Sequence, residues 1–277
     1  MAFVTVVFWL ISLSLSIECS TIYVNSRTGN DKTCSAGENP CLTLERAFDI
    51  AREAPSNVTI QISSDVELRN SYLQIKNASN ITIIGIEATT NIECSENSGI
   101  FVKDVRNITI SNLSFNGCGY NMNDSITYRA AISIENSSDI KIIRTNITRS
   151  MSTGIAFIDC LKSVELQKLI ISFNGNSNKP CCFPAGISIE KYDPSPANYT
   201  IKDSQFEDNL ICRNWSSCHT NKSIYWRGGA LGIFMAKSSN NNSVEIDSTS
   251  FVNNSAQWGS GLYTSCLQTN QVGTELL

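Results

Sequence analysis

The side chains able to do chemistry in this chain are few, and their spacing limits what that chemistry could be. Acidic residues recur at Asp104, Asp139, Asp159, Asp203 and Asp247. Asp203 and Asp247 fall at the bend after the same strand of consecutive repeats, so they are expected to stack about one strand spacing, ~4.8 Å, apart. A carboxylate pair could serve polysaccharide hydrolysis, one group protonated and one ionised, or hold calcium. The plainer reading is a turn residue, because Asn112 takes that place in another repeat and Lys168 interrupts the series. There is no Asp-Asp pair, no Gly-His-Gly and no Arg-x-Lys in a strand; the single histidine, His219, lies beside a polar loop and reads as solvated. No C-x-x-C pair occurs either, so no metal and no cofactor is expected.

Aromatic residues offer a second kind of chemistry. Tyr192, Trp215, Tyr225, Trp226 and Trp258 lie in or beside loops, where they could stack on sugar rings or pack under their own loops. The insertions at 180–184 and 209–227 are the candidate binding surface, with Trp215, Tyr225 and Trp226 as its contact residues.

A repeating frame must position these groups. A small residue opens each of five apolar stretches: Gly99-Ile100-Phe101-Val102, Ala131-Ile132-Ser133-Ile134, Gly154-Ile155-Ala156-Phe157, Gly186-Ile187-Ser188-Ile189 and Ala230-Leu231-Gly232-Ile233. A sixth begins at Gly261-Leu262. After each of the five come apolar residues at p, p+2 and p+7: Ile108, Ile110, Phe115; Ile140, Ile142, Ile147; Val164, Leu166, Ile171; Tyr199, Ile201, Phe206; and Val244, Ile246, Phe251. An earlier, weaker copy reads Ile81, Ile83, Ile86. Apolar residues two apart share one face of a strand, so Ser, Thr, Lys and Asp between them should face water. No copy can bury its own face, but stacked copies build one core. The repeat starts at 81, 108, 140, 164, 199 and 244 are unevenly spaced. Short strands of fixed length with loops of free length describe an all-β, right-handed parallel β-helix rather than a helical repeat or a sandwich.

Residues 3–17 form an uncharged apolar run, too short to cross a bilayer and suited to a signal-peptide core, so residues 1–20 are expected to be a cleaved signal. No second apolar span follows, which predicts a secreted, extracellular protein with no membrane span in this chain. Charge is 17 % of residues and net −4, without a Lys or Arg run, which argues against nucleic acid or an anionic membrane as partner. Residues 21–57 are expected to form an N-terminal cap of one strand and one helix, Leu44–Glu53, with Thr43 as N-cap and Pro55 beyond its end. Coils should fill 58–265, and 266–277 reads as an unstructured or truncated tail.

Eleven cysteines in an exported chain read as disulfides. Cys34 and Cys41 bracket one loop, Cys94 and Cys118 flank one coil, and Cys212 and Cys218 bracket another loop; Cys160 is assigned to Cys181 or Cys182, and Cys266 has no evident mate. Thirteen N-x-[ST] sequons are present, roughly twice what composition gives by chance. Asn57, Asn77, Asn123, Asn136, Asn214, Asn221, Asn241 and Asn253 are the expected glycan carriers, whereas Asn80, Asn107 and Asn198 sit directly before strands.

Several of these segments resemble known proteins. Tyr23-Val24-Asn25, Gly29-Asn30-Asp31, Cys34, Pro40-Cys41, Thr43-Leu44 and Ala47 resemble the entry segment of secreted right-handed parallel β-helix proteins of the pectin-lyase-like superfamily. Ile92-Glu93-Cys94, the stretch from Asn107 to Phe115, and Cys118-Gly119 look like the extracellular β-helix proteins of marine invertebrates. Gly228-Gly229-Ala230-Leu231, with Phe206-Glu207-Asp208-Asn209 and Phe251-Val252-Asn253-Asn254, is similar to the GGA[ILV] and FxxN repeats of chlamydial polymorphic outer membrane proteins, which are adhesins. The resemblance implies the fold and an extracellular module for adhesion, or for binding a glycan or protein surface, without catalysis. The alternative it leaves open is a polysaccharide lyase or glycoside hydrolase.

Overall fold

The computed structural model describes residues 20–53, 56–69, 72–87, 90–95, 98–119, 130–175, 184–211, 228–236, 241–256 and 259–267. Within them the chain winds through three parallel sheets in turn, the arrangement of a parallel β-helix. Sheet A has eight strands, stacked as Ser20–Val24, Ser56–Ile62, Ser79–Gly85, Arg106–Ser111, Ser138–Ile143, Leu161–Gln167, Ala197–Lys202 and Ser243–Asp247. Sheet B has seven: Val66–Leu68, Thr90–Cys94, Leu113–Asn116, Asn146–Thr148, Ile170–Ser172, Gln205–Glu207 and Ser250–Val252. Sheet C also has seven: Tyr72–Lys76, Gly99–Lys103, Ala130–Glu135, Thr153–Ile158, Ile187–Lys191, Leu231–Ala236 and Leu262–Leu267.

The p and p+2 residues lie on sheet A, p+7 on sheet B, and the small-residue stretches on sheet C. Parallel register sets like on like, so the core is built from columns. Ile81, Ile108, Ile140, Val164 and Tyr199 form one of them, and Phe206 stacks on Phe251 with ring centroids 5.0 Å apart. The weak early copy is corrected by the register. Ile86 is 56 % exposed, and its expected place in sheet B is taken by Ile92, which pairs with Phe115. A longer turn after Gly85 carries the chain past Ile86 before sheet B resumes. Two further copies lacked a clear signature: Val58, Ile60 and Val66 extend the pattern towards the N-terminus, and Leu73 and Ile75 pair with Ile100 and Val102 in sheet C.

The small residues opening the sheet C strands are explained by backbone proximity. A Cβ on Gly186 would strike the carbonyl of Ala230 on the next coil, so nothing larger fits without separating the coils. One expectation fails on this sheet. Its outward-pointing Phe101, Ser133, Ala156 and Ser188 are buried rather than solvated, and a Cβ on Gly232 would strike the ring of Pro184. The outer side of sheet C is covered, so polarity between apolar positions does not mark it as a wet face.

The helix Leu44–Glu53 closes the first coil. Leu44, Ala47, Phe48 and Ala51 are its buried stripe, and the Thr43 hydroxyl accepts a hydrogen bond from the Arg46 amide at 3.2 Å, as an N-cap does. The Asp31 carboxylate organises the entry, accepting hydrogen bonds from the amides of Leu42 and Thr43 and from the Thr43 hydroxyl.

Between sheets the chain turns sharply through left-handed backbone. Eighteen described non-glycine residues have φ between 46° and 62°, and twelve of these are Asn or Asp, the types that tolerate this region best. They recur in rows. Asn112, Arg144, Lys168, Asp203 and Ser248 turn sheet A into sheet B, while Arg149, Phe173, Asp208 and Asn253 turn sheet B towards sheet C. Asn77, Asp104, Asn136 and Asp159 end sheet C strands, and Asn57, Asn80, Asn107 and Asp139 sit just before the p residue of sheet A.

Candidate functional site

These rows account for most of the acidic residues that the sequence singles out. Asp104, Asp139, Asp159 and Asp203 are all left-handed turn residues. The expected stack of Asp203 on Asp247 does not form, because the register sets Asp247 beside Lys202 and leaves Ser248 as the left-handed residue of the next coil. Asp203 accepts a hydrogen bond from the Gln167 side chain and Asp247 one from the Ser248 hydroxyl. Neighbouring carboxylates are likewise engaged: Glu165 with Lys141 at 3.1 Å, Glu245 with Lys202 at 3.2 Å, and Asp139 with Lys162 at 3.4 Å.

A cluster of Asp31, Cys34 and Cys41 has donor atoms close enough for a metal. Its chemistry does not fit one. The two sulfurs are bonded to each other, with Cα atoms 4.9 Å apart, and the carboxylate is occupied by the helix entry. Cys94 and Cys118 form a second bridge, with Cα atoms 4.8 Å apart. Cys160 departs from its expected pairing: its thiol is buried in the core, where it donates to the carbonyl of Ile134 at 3.5 Å. Burial pushes this thiol up to about 12, well above its ordinary range. Nearby, burial raises the phenol of Tyr199 as well, and its hydroxyl has no hydrogen-bond partner among the described residues. The fully buried Lys191 ammonium reaches Asp193 at 3.3 Å. Hydrogen bonds from Ser195, with a smaller contribution from Lys191, hold the exposed Asp193 carboxyl below the usual range.

Trp215, Tyr225 and Trp226, together with Trp258, His219, Cys181, Cys182, Cys212, Cys218, Asn123, Asn214 and Asn221, lie outside the described residues. The ends of their insertion are described: Asn209 is buried, and Gly228 resumes the chain with φ +81°. Tyr192 is 54 % exposed, and its hydroxyl lies 2.9 Å from Glu190.

A groove of uniform chemistry lies on the outward side of sheet A, on strands that the sequence presents only as core formers. Thr21, Thr59, Thr82 and Thr109 stand in register on four successive strands. Beside them Asn57, Asn80 and Asn107 form an amide ladder, in which Asn80 Nδ2 donates to Asn57 Oδ1 and Asn107 Nδ2 donates to Asn80 Oδ1, both at 2.8 Å. Asn57, Asn80, Asn107 and the threonines Thr59, Thr82 and Thr109 line a shallow groove of about 250 Å³. It continues past Ser79, Arg106 and Asp139. Apart from that margin its lining carries no charge, so it offers hydroxyl and amide hydrogen bonds rather than acid or base chemistry. The signal was present as Asn57-Val58-Thr59-Ile60, Asn80-Ile81-Thr82-Ile83 and Asn107-Ile108-Thr109-Ile110, but only the register shows that these copies adjoin.

Among the described residues no helix is long and apolar enough to cross a membrane. No family model, curated protein or solved structure matches the chain.

Proposed function

We propose that this chain is a secreted, N-glycosylated β-helix module that binds an extracellular glycan or protein surface without catalysis. The observation that carries the reading is the outward side of sheet A, where neutral hydroxyl and amide groups stand in register while nearby carboxylates are taken up by ion pairs and turns. A rigid solenoid with two disulfides among its described residues suits display outside the cell, where thiols oxidise. Its loops, like loops on other rigid scaffolds, are free to vary and to carry contacts, and the 209–227 insertion with Trp215, Tyr225 and Trp226 is the proposed contact loop. The resemblance to β-helix adhesins points the same way.

The test uses the purified secreted chain. Deleting residues 214–223 is expected to abolish attachment to a cell or glycan surface while leaving the strand circular dichroism unchanged. The same protein is screened against pectate, alginate and glycosaminoglycans for new reducing ends or unsaturated uronate absorbance. Turnover that disappears in the Asp203→Asn, Asp247→Asn double variant would overturn the non-catalytic reading.

A further inference from the structure

Three of the thirteen sequons are brought into direct contact by the fold. Asn57-Val58-Thr59, Asn80-Ile81-Thr82 and Asn107-Ile108-Thr109 are 23 and 27 residues apart in the chain, yet their threonines pair in register and their asparagine amides hydrogen-bond to one another at 2.8 Å. Each Asn has the same left-handed backbone, with φ of 58°, 54° and 62°, so the three side chains leave the sheet in parallel. The nitrogens that would carry sugar therefore lie about one strand spacing, ~4.8 Å, apart. An N-acetylglucosamine ring with its acetamido group is wider than that, and the core glycan beyond it is wider still. Two neighbouring glycans fit only if the amides separate and swing apart, breaking the ladder.

We infer that these three sequons form a mutually exclusive set: in the folded protein no two neighbours carry glycans together, so Asn80 and either flanking Asn are never modified at once. The inference rests on the proposed passage through a glycosylating secretory route. Attachment happens on the unfolded chain, where the sites are independent, and exclusion is imposed when coils stack. Molecules with two neighbouring glycans fail to close the first coils and are retained. Asn77, Asn136 and Asn253 differ: each is an exposed turn residue, and among the described residues none makes an amide contact to another sequon.

Sequons can be removed without replacing an amide of the ladder, because the threonine completes each sequon and the Asn–Asn hydrogen bonds do not use it. Thr59→Ala, Thr82→Ala and Thr109→Ala, made singly and in pairs in a background where the other ten sequons are disabled by Ser/Thr→Ala, leave every combination of one or two acceptors. Intact mass of the secreted protein before and after enzymatic deglycosylation then counts the glycans. One mass step is expected for the pairs Asn57 with Asn80 and Asn80 with Asn107, and up to two steps for Asn57 with Asn107. The doubly modified forms of the neighbouring pairs should appear only in the retained cell fraction. Two steps in secreted material for either neighbouring pair would overturn the inference, as would absence of glycan from all three single-acceptor variants. Wild-type glycopeptides covering Asn77, Asn136 and Asn253 separate the two failures. If those sites are modified, only the exclusion rule is wrong; if they too are bare, the secretory reading falls with it.

Discussion

The side-chain oxygen of Asn209 accepts two hydrogen bonds from Asn174, one from its backbone amide at 3.2 Å and one from Nδ2 at 3.0 Å. Asn209 repeats the arrangement on Asn254, and its Nδ2 also donates to the carbonyl of Ile171. Each residue satisfies the turn before it and is satisfied by the turn after it. This is the physical content of the FxxN pattern at Phe206 and Phe251, and Ile171 and Asn174 supply a copy with a different apolar residue.

Breaking that ladder at its middle should be costly. Asn209→Ala leaves the buried Asn174 backbone amide without its acceptor, at about 1–3 kcal/mol, and removes the side-chain hydrogen bond to the Ile171 carbonyl. A urea denaturation midpoint indistinguishable from wild type would show that the ladder contributes nothing.

Alkaline pH should loosen the core through Cys160. The thiol titrates near 9 when unfolded and near 12 when buried, so the folded state holds its proton over that interval while the unfolded state loses it. Stability is therefore intact below about pH 9 and declines as pH rises towards 12, by up to about 4 kcal/mol. Burial of Tyr199 acts in the same direction, beginning near its ordinary value. Cys160→Ala should flatten the part of the slope that begins near pH 9, as measured by chemical denaturation at stepped pH.

Lys191 and Asp193 should respond asymmetrically. Asp193→Ala leaves a buried ammonium without its acceptor and is expected to lower the melting temperature, though less than breaking a fully buried pair would, because Asp193 is exposed to solvent. Lys191→Met removes the charge and keeps the apolar stem, and should be close to neutral. Thermal melts of the two variants give the comparison, and equal losses would contradict it.

The two bridges should differ in weight. On loop-closure entropy, Cys94–Cys118 with a separation of 24 contributes about 3 kcal/mol and Cys34–Cys41 with a separation of 7 about 2 kcal/mol. Non-reducing peptide mapping should recover both pairs, and Cys94→Ala should lower the melting temperature more than Cys34→Ala.

The sequence by itself determined the faces. Ile108, Ile110 and Phe115 and their copies alternate strictly enough to require an inward side, and Thr43 with the Leu44, Phe48 and Ala51 stripe marks the capping helix. Periodicity reports only which side of a strand a residue takes, because it repeats every two residues whatever lies alongside. Which outward residues meet is set by register, and register depends on non-local pairing and on the length of each intervening turn. The tertiary structure alone therefore placed Ile92 where Ile86 was expected, set Asp247 beside Lys202 instead of Asp203, and buried Cys160 as a thiol. It also covered the serines of sheet C. For the same reason three sequons that look independent along the chain became neighbours, since one turn of the solenoid brings residues more than twenty positions apart to within a hydrogen bond.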